Sequence, residues 1–462
     1  MRRKTALVAL LLCALAVPAA RADVYAAAAA VEKQDFARAF ELYREVAELG
    51  RLEGQENMAV SYVNGEGVKR DNVLGYAWAR IARENGGGVE MQKIIDVIEP
   101  RLTDAARLRA AELQAMFGKE ALQKTLLPVM KRGAGVDPAC TVARPGNPAD
   151  FYPAGALERG MTGSVILEFK VGTDGRAHHP RVLYGIPAIV FDEAGRLVVR
   201  ASTFKPKIEN GVAVPCTLRL RVKFSKSGAS QPLEGGDFDE KIAATHKLAV
   251  AGDPQSQLLY GLILLARPEL DTEEAPDHMA HWLLRAAQAG IPAAQFMIGN
   301  FTLLGFGIEA DVRKGRAWLE RAAAAGQVDA QLALANYLLL PGPDADVAAA
   351  TGWLEKASAS GNREAGYRLA ALFATSPDPA KRDPQRALEL LAKVMDDVDT
   401  DPTTYEIRAA AKAALGNFEE ASRDQKRAIA FAKRLGWDPV PQRTRLDKYE
   451  SGVAWTGDLF AL

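Results

Sequence analysis

Apolar residues along this chain follow two different periods. Over most of its length they recur at helical spacing in blocks of about 35 residues. Trp282, Trp318 and Trp353 mark three blocks, Gly290, Gly326 and Gly361 follow each tryptophan by eight positions, and Ala294, Ala330 and Ala365 come four later. Near the start, Gly65-x-Gly67-Val68-x-x-Asp71 leads to Trp78, as Gly305-x-Gly307-Ile308-x-x-Asp311 leads to Trp318. In the middle the period changes to two. Val165, Leu167, Phe169 and Val171 alternate with Ser164, Ile166, Glu168 and Lys170, which predicts a half-buried strand.

A block of that length holds two helices and two turns, too little to bury its own apolar face, so the blocks must stack. Alanines (Ala286, Ala287, Ala322, Ala323) allow close helix approach, glycines supply left-handed caps, and Asp311 is placed to cap the helix that carries Trp318. Units are expected at 35–85, 240–268, 279–310, 314–345 and 349–380, then a degenerate one from Asp383 and a last one at 405–435. Residues 89–130 read as further helix, with a start at Thr103-Asp104 and a stop at Gly118. His246 is read as packing within its own unit.

After the first predicted strand, Thr173-Asp174-Gly175 reads as a hairpin turn, Arg176 to Tyr184 as a second strand and Pro187 to Ser202 as a helix. Asn210-Gly211 then opens a last strand from Val214 to Phe224. On it Val214, Cys216, Leu218, Leu220, Val222 and Phe224 alternate with Pro215, Thr217, Arg219, Arg221 and Lys223. Pro215 cannot donate a ladder hydrogen bond, which places it on an edge or at a strand start. Arg219, Arg221 and Lys223 are expected to face solvent; the candidate peptide-binding edge is Val214, Thr217, Arg219, Arg221 and Lys223, and an ordinary solvated charged face is the other reading of these residues.

The N-terminus changes the compartment. Arg2, Arg3 and Lys4 precede an apolar run from Thr5 to Val17, and Ala20-Arg21-Ala22 offers a cleavage site after Ala22. That run is too short for a spanning helix of about 20 residues, and a retained inner-membrane anchor facing the periplasm is the alternative. The whole chain carries 58 basic and 58 acidic residues; without Arg2, Arg3, Lys4 and Arg21 it is net acidic, which disfavours nucleic acid and anionic membrane as partners. In an exported chain the two remaining cysteines, Cys140 and Cys216, are expected to pair; two separate buried thiols are the other reading.

The repeated G-x-G-V-x-x-D, W, A-A-x-x-G and A-Q elements resemble the Sel-one-like repeat, a relative of the tetratricopeptide repeat, and Leu415-Gly416-Asn417-Phe418 resembles the latter itself. The resemblance implies a curved helical solenoid that binds proteins on one surface. The stretch 152–224 resembles the C-terminal domain of TonB, through Tyr152-Pro153, Ala156, Gly160, Gly163, Val165, Phe169, Asp174-Gly175, Phe191-Asp192, Phe204-x-Pro206, Asn210-Gly211 and Val222-x-Phe224. That family implies a ββαβ fold whose last strand accepts an extended partner segment as a further strand. This chain departs from TonB in having no histidine in its hydrophobic segment and no proline-rich spacer.

Chemistry is sparse. His178-His179 fall on opposite faces of a strand, and His278 and His281 lack further ligands. No nucleophile elbow, phosphate loop or dinucleotide motif occurs, so no catalytic residue, cofactor or metal is expected. The fold expected is α+β multidomain: α-helical solenoid arrays flanking a small ββαβ domain. Its parts are a signal peptide at 1–22, repeats at 23–132, a linker at 133–150, the TonB-like domain at 151–226, a linker at 227–237, repeats at 238–436 and a tail at 437–462. The function expected is non-enzymatic protein binding in the periplasm, with other envelope proteins, outer-membrane TonB-dependent receptors among them, as partners. A membrane-anchored energy transducer in transport is the alternative.

Overall fold

A computed structural model describes residues 24–134, 140–158, 161, 163–186, 190–224, 236–266, 278–340, 342–343, 345–394, 401–434, 437 and 439–459. The predicted signal peptide and most of the second linker lie outside them. Helices dominate, and among the described residues there are nine short strands: β1 Met130–Ala134, β2 Thr141–Arg144, β3 Gly163–Val171, β4 Ala177–Ile186, β5 Thr203–Lys205, β6 Lys207–Glu209, β7 Val212–Val214, β8 Cys216–Phe224 and β9 Phe306–Ile308. The architecture is the expected one, helical repeats with a small sheet-bearing domain. The described residues form two compact units that do not follow chain order: one joins 24–134 with 236–334, the other joins 140–224 with 335–459.

In the first unit, helices Phe36–Glu48, Leu52–Asn64 and Asn72–Glu84 pack in succession, as do Gly236–Val250, Pro254–Ala266, Met279–Gln288 and Pro292–Leu304. The two groups meet directly. Arg51 Nη1 donates to Gln257 Oε1 at 3.3 Å and Gln288 Nε2 to the Leu49 carbonyl at 3.1 Å; farther along, Trp318 Nε1 of helix Val312–Ala324 donates to the Leu126 carbonyl at 2.9 Å. Strands β1 and β9 pair antiparallel within the same unit.

Two recurring bonds explain the repeat spacing. In several repeats a glutamine early in the second helix reaches back to a carbonyl at the end of the first: Gln55 to Ala47, Gln257 to Ala249, Gln295 to Ala287 and Gln331 to Ala323, at 3.1–3.4 Å, whereas helix Arg363–Thr375 has Gly366 in that place. Each of these carbonyls also accepts the amide of the glycine three residues on, at 2.9–3.1 Å, so the glutamine fills the second lone pair of a helix-end acceptor and ties the two helices together. The aspartate that opens a repeat fastens it to the preceding helix. The amide of Asp71 bonds to the Tyr62 carbonyl, that of Asp311 to Thr302, that of Asp346 to Leu338 and that of Asp383 to Phe373, at 2.9–3.0 Å. The carboxylates of Asp71, Asp311 and Asp346 cap the following helices, as expected for Asp311.

Trp78, Trp282 and Trp318 are buried, whereas Trp353 is half-buried beneath the Lys356 ammonium, 4.2 Å from its ring centroid. Gly290, Gly326 and Gly361 take φ of +91°, +91° and +87°, the left-handed conformation their place after a helix requires. His246 stacks on Tyr260 at 4.6 Å, within its own unit as read from the sequence.

Candidate peptide-binding edge

The sheet of the small domain is antiparallel with strand order β4-β3-β8. Its core comes from the period-two pattern: Val165, Leu167, Phe169 and Val171 of β3 are buried with Leu218, Val222 and Phe224 of β8. Helix Asp192–Ala201 lies on that face and buries Ala194, Val198 and Val199. Gly195 permits the contact, because a β-carbon there would meet Val165 and Leu167 side chains at 3.1–3.2 Å. Residues far apart in sequence meet beneath the end of β8. Phe191 stacks on Phe224 at 4.8 Å, and Tyr152 stands edge-on to both at 5.5 and 5.8 Å.

The last strand is shorter than its alternation implies. Val212–Val214 pairs with Lys207–Glu209 around Asn210-Gly211, both at positive φ, and Pro215 separates this hairpin from β8. Val214 therefore faces Lys207 and leaves the candidate edge, which consists of β8 from Cys216 onward. The second strand runs Ala177–Ile186 and the helix begins at Asp192; positions 187–189 lie outside the described residues. Part of the stretch read as linker is also structured, since Thr141–Arg144 pairs with Thr203–Lys205. Cys140 and Cys216 form a disulfide with Cα atoms 6.2 Å apart, holding this segment at the start of β8.

Among the described residues no strand pairs with the far side of β8. Thr217 and Lys223 are exposed, and Arg219 and Arg221 are half-buried rather than fully solvated as expected. For Arg219 the reason is Glu168 on the central strand. It accepts from Arg219 Nε at 2.8 Å and from Arg181 at 2.5 Å, tying all three strands together across the sheet face. Burial alone would push the Glu168 carboxyl up, but the two guanidinium groups outweigh it and hold it below the ordinary carboxylate range. Glu168 was visible in the sequence only as a polar member of the alternation.

The opposite edge strand, β4, is docked on the C-terminal helices. A bulge at His179, where φ is +49°, breaks the alternation, so both imidazoles lie against one indole: Trp437, 4.9 Å from His178 and 5.6 Å from His179. This corrects the expectation that the two rings diverge. His178 Nε2 is 2.9 Å from Asp174 Oδ2, and Thr403 Oγ1 is 3.4 Å from His179 Nδ1. Arg200, from the domain helix, binds Asp401 at 2.6 Å, and Asp401 also caps helix Pro402–Ala414. Burial pushes the His179 ring down to about 3 against the opposing pull of Asp401. Burial would raise Asp401, but Arg200 and the Thr403 amide outweigh it and lower its pKa. Among the described residues no cluster of His, Cys, Asp and Glu could hold a metal ion.

Fold and edge together define a helical-repeat protein with a small α/β domain inserted between its repeats. Family models identify both parts: "Gram-negative bacterial TonB protein C-terminal" matches residues 148–225, and "Sel1 repeat" matches 28–50, 52–87, 292–327, 328–362 and 364–393. The chain is a Sel1-repeat protein that carries a TonB C-terminal domain. Among solved structures it is similar to c5321, described as a protective antigen of uropathogenic Escherichia coli strains with an SLR fold, at 16% identity over 97% of this chain and 76% of that one, TM-score 0.36. It is also similar to a Sel1 repeat protein from Oxalobacter formigenes, at 33% identity over 28% of this chain and 97% of that one, TM-score 0.26. No curated protein matches it. Sel1 repeats are non-catalytic interaction scaffolds, and the TonB C-terminal family is periplasmic. Among the described residues no helix is long and apolar enough to cross a membrane, and a disulfide fits an extracytoplasmic site.

Proposed function

We propose that this protein is a non-enzymatic periplasmic receptor for an extended segment of another envelope protein, exported with cleavage after Ala22. The segment adds as a fourth strand to the far side of β8, and the helical repeats hold the domain in place. One observation carries the reading: β8 is an edge strand with no neighbour beyond it among the described residues, while the opposite edge strand is docked on the protein's own helices. Backbone pairing along β8 would supply affinity. The alternation of Leu218, Leu220 and Val222 with Arg219, Arg221 and Lys223 would supply selectivity for a segment that alternates apolar and acidic residues. An outer-membrane TonB-dependent receptor is one partner of this kind.

Hydrogen exchange of the mature protein, with and without such a peptide, tests this. Protection is expected at the amides of residues 217–224. Protection confined to the repeats, with β8 unchanged, would overturn the reading. N-terminal sequencing from envelope fractions should begin at Asp23, and a retained Met1 would exclude cleavage.

A further inference from the structure

We propose a second docking site, independent of β8: a trough on the N-terminal repeats that receives an acidic amphipathic helix of a partner protein. In a repeat array each unit covers the apolar face of the one before it. After the second matched repeat, which ends at residue 87, the chain instead forms helices Val89–Ile98 and Asp104–Phe117. The longer one covers part of the exposed face, as the stacking of Phe117 on Trp78 at 5.6 Å shows. The shorter one leaves a cavity of about 710 Å³ beside helices Leu52–Asn64 and Asn72–Glu84.

Its apolar lining includes Val63, Val73, Ile94, Val97 and Leu102. Val97 is 57% exposed, and Val89 two turns earlier on the same helix is 71% exposed. Glu90 and Lys93, paired with each other, lie between these two valines, so the exposed apolar groups are two patches about 12 Å apart along the helix rather than one continuous row. The trough walls are helices whose backbone groups are bonded internally, so an extended segment finds no ladder to join. A second helix, by contrast, can set its ridges between rows of side chains four apart.

Charge selects the sign of that helix. Arg70 and Arg101 line the trough as cations, while Lys93 and Glu90, which also line it, neutralise each other at 2.6 Å. The chain's own N-terminal segment is a poor occupant, because residues 1–22 hold four basic residues and no acidic one. A helix with an apolar stripe flanked by carboxylates satisfies both the lining and the rim.

The test is fluorescence anisotropy on the mature protein with a labelled synthetic helix of about 18 residues, five turns, with leucine on one face and glutamate on the other. A control peptide carries lysine for every glutamate. The glutamate peptide should bind and the lysine peptide should not. Val97→Asp and Arg101→Glu, both at exposed positions, should each weaken binding at least about tenfold while leaving the thermal melt unchanged. Raising salt from about 50 to about 500 mM should weaken it further. No binding by the glutamate peptide, equal binding of both peptides, or affinity indifferent to both substitutions would overturn the proposal. So would saturation of the site by a twelve-carbon fatty acid in a protein that ignores the peptide.

Discussion

His179 joins backbone strain, burial and charge at one position. Its φ of +49° is uncommon for a residue with a β-carbon, and the bulge it makes turns the ring toward Trp437, Thr403 and Asp401. Adjacent strand residues ordinarily diverge, so the sequence alone argued the opposite; a bulge is set by what the strand packs against, and that packing surface lies more than two hundred residues on. The folded pKa near 3, against an ordinary 6.5, fixes the sign of a pH effect. Between these values the unfolded chain binds a proton that the folded chain does not, so stability is full above 6.5 and declines as pH falls toward 3. Asp401, also lowered, acts in the same direction below the ordinary carboxylate range. The melting temperature should therefore fall from pH 7 to pH 4, and less steeply in His179→Asn, which tolerates the backbone angle but has no ring to protonate. Equal slopes in the two proteins would remove His179 from the account.

At the scale of elements, the repeats were legible because tryptophan, glycine and alanine recur at fixed intervals. The interlock between paired helices was only half legible. Gln295 and Gln331 stood beside the marker alanines, but Gln55 and Gln257 perform the same task without a marker tryptophan at the usual interval. The bond at Gln257 shows that 236–266 is built as a repeat although the Sel1 match does not extend there. Gln257→Leu and Gln295→Leu should then each cost about 0.5–1.5 kcal/mol for the lost interlock bond, the carbonyls keeping the Gly252 and Gly290 amides. Gln257→Leu should cost more, because it also strips Arg51 of an acceptor. Chemical denaturation of the two variants checks this, and a cost at Gln295 alone would deny the equivalence. The hairpin before β8 was missed for another reason: the alternation of apolar residues runs unbroken through Pro215, while the ladder does not.

At the scale of the molecule, the interleaving of two units was not legible, because it depends on contacts such as Arg51 with Gln257 and Arg200 with Asp401 across some two hundred residues. The disulfide is the covalent counterpart of these contacts. Cys140 and Cys216 are separated by 76 positions, and closing such a loop stabilises by roughly 4 kcal/mol in the chain-entropy model. Cys216→Ser should lower the melting temperature by several degrees, and reducing the wild type should reproduce that drop. An unchanged melt in either experiment would mean that the bond contributes nothing to the fold.

The contact of β4 with Trp437 and Asp401 also sets an order of manufacture. The domain at 140–224 leaves the ribosome well before the residues that shield one of its two sheet edges. Until the last sixty or so positions are made and delivered, that edge is bare alongside β8, and two newborn copies could join through it. A premature stop near residue 400 would then do more than shorten the protein. It would turn a domain with one open sheet edge into one with two, competent to polymerise.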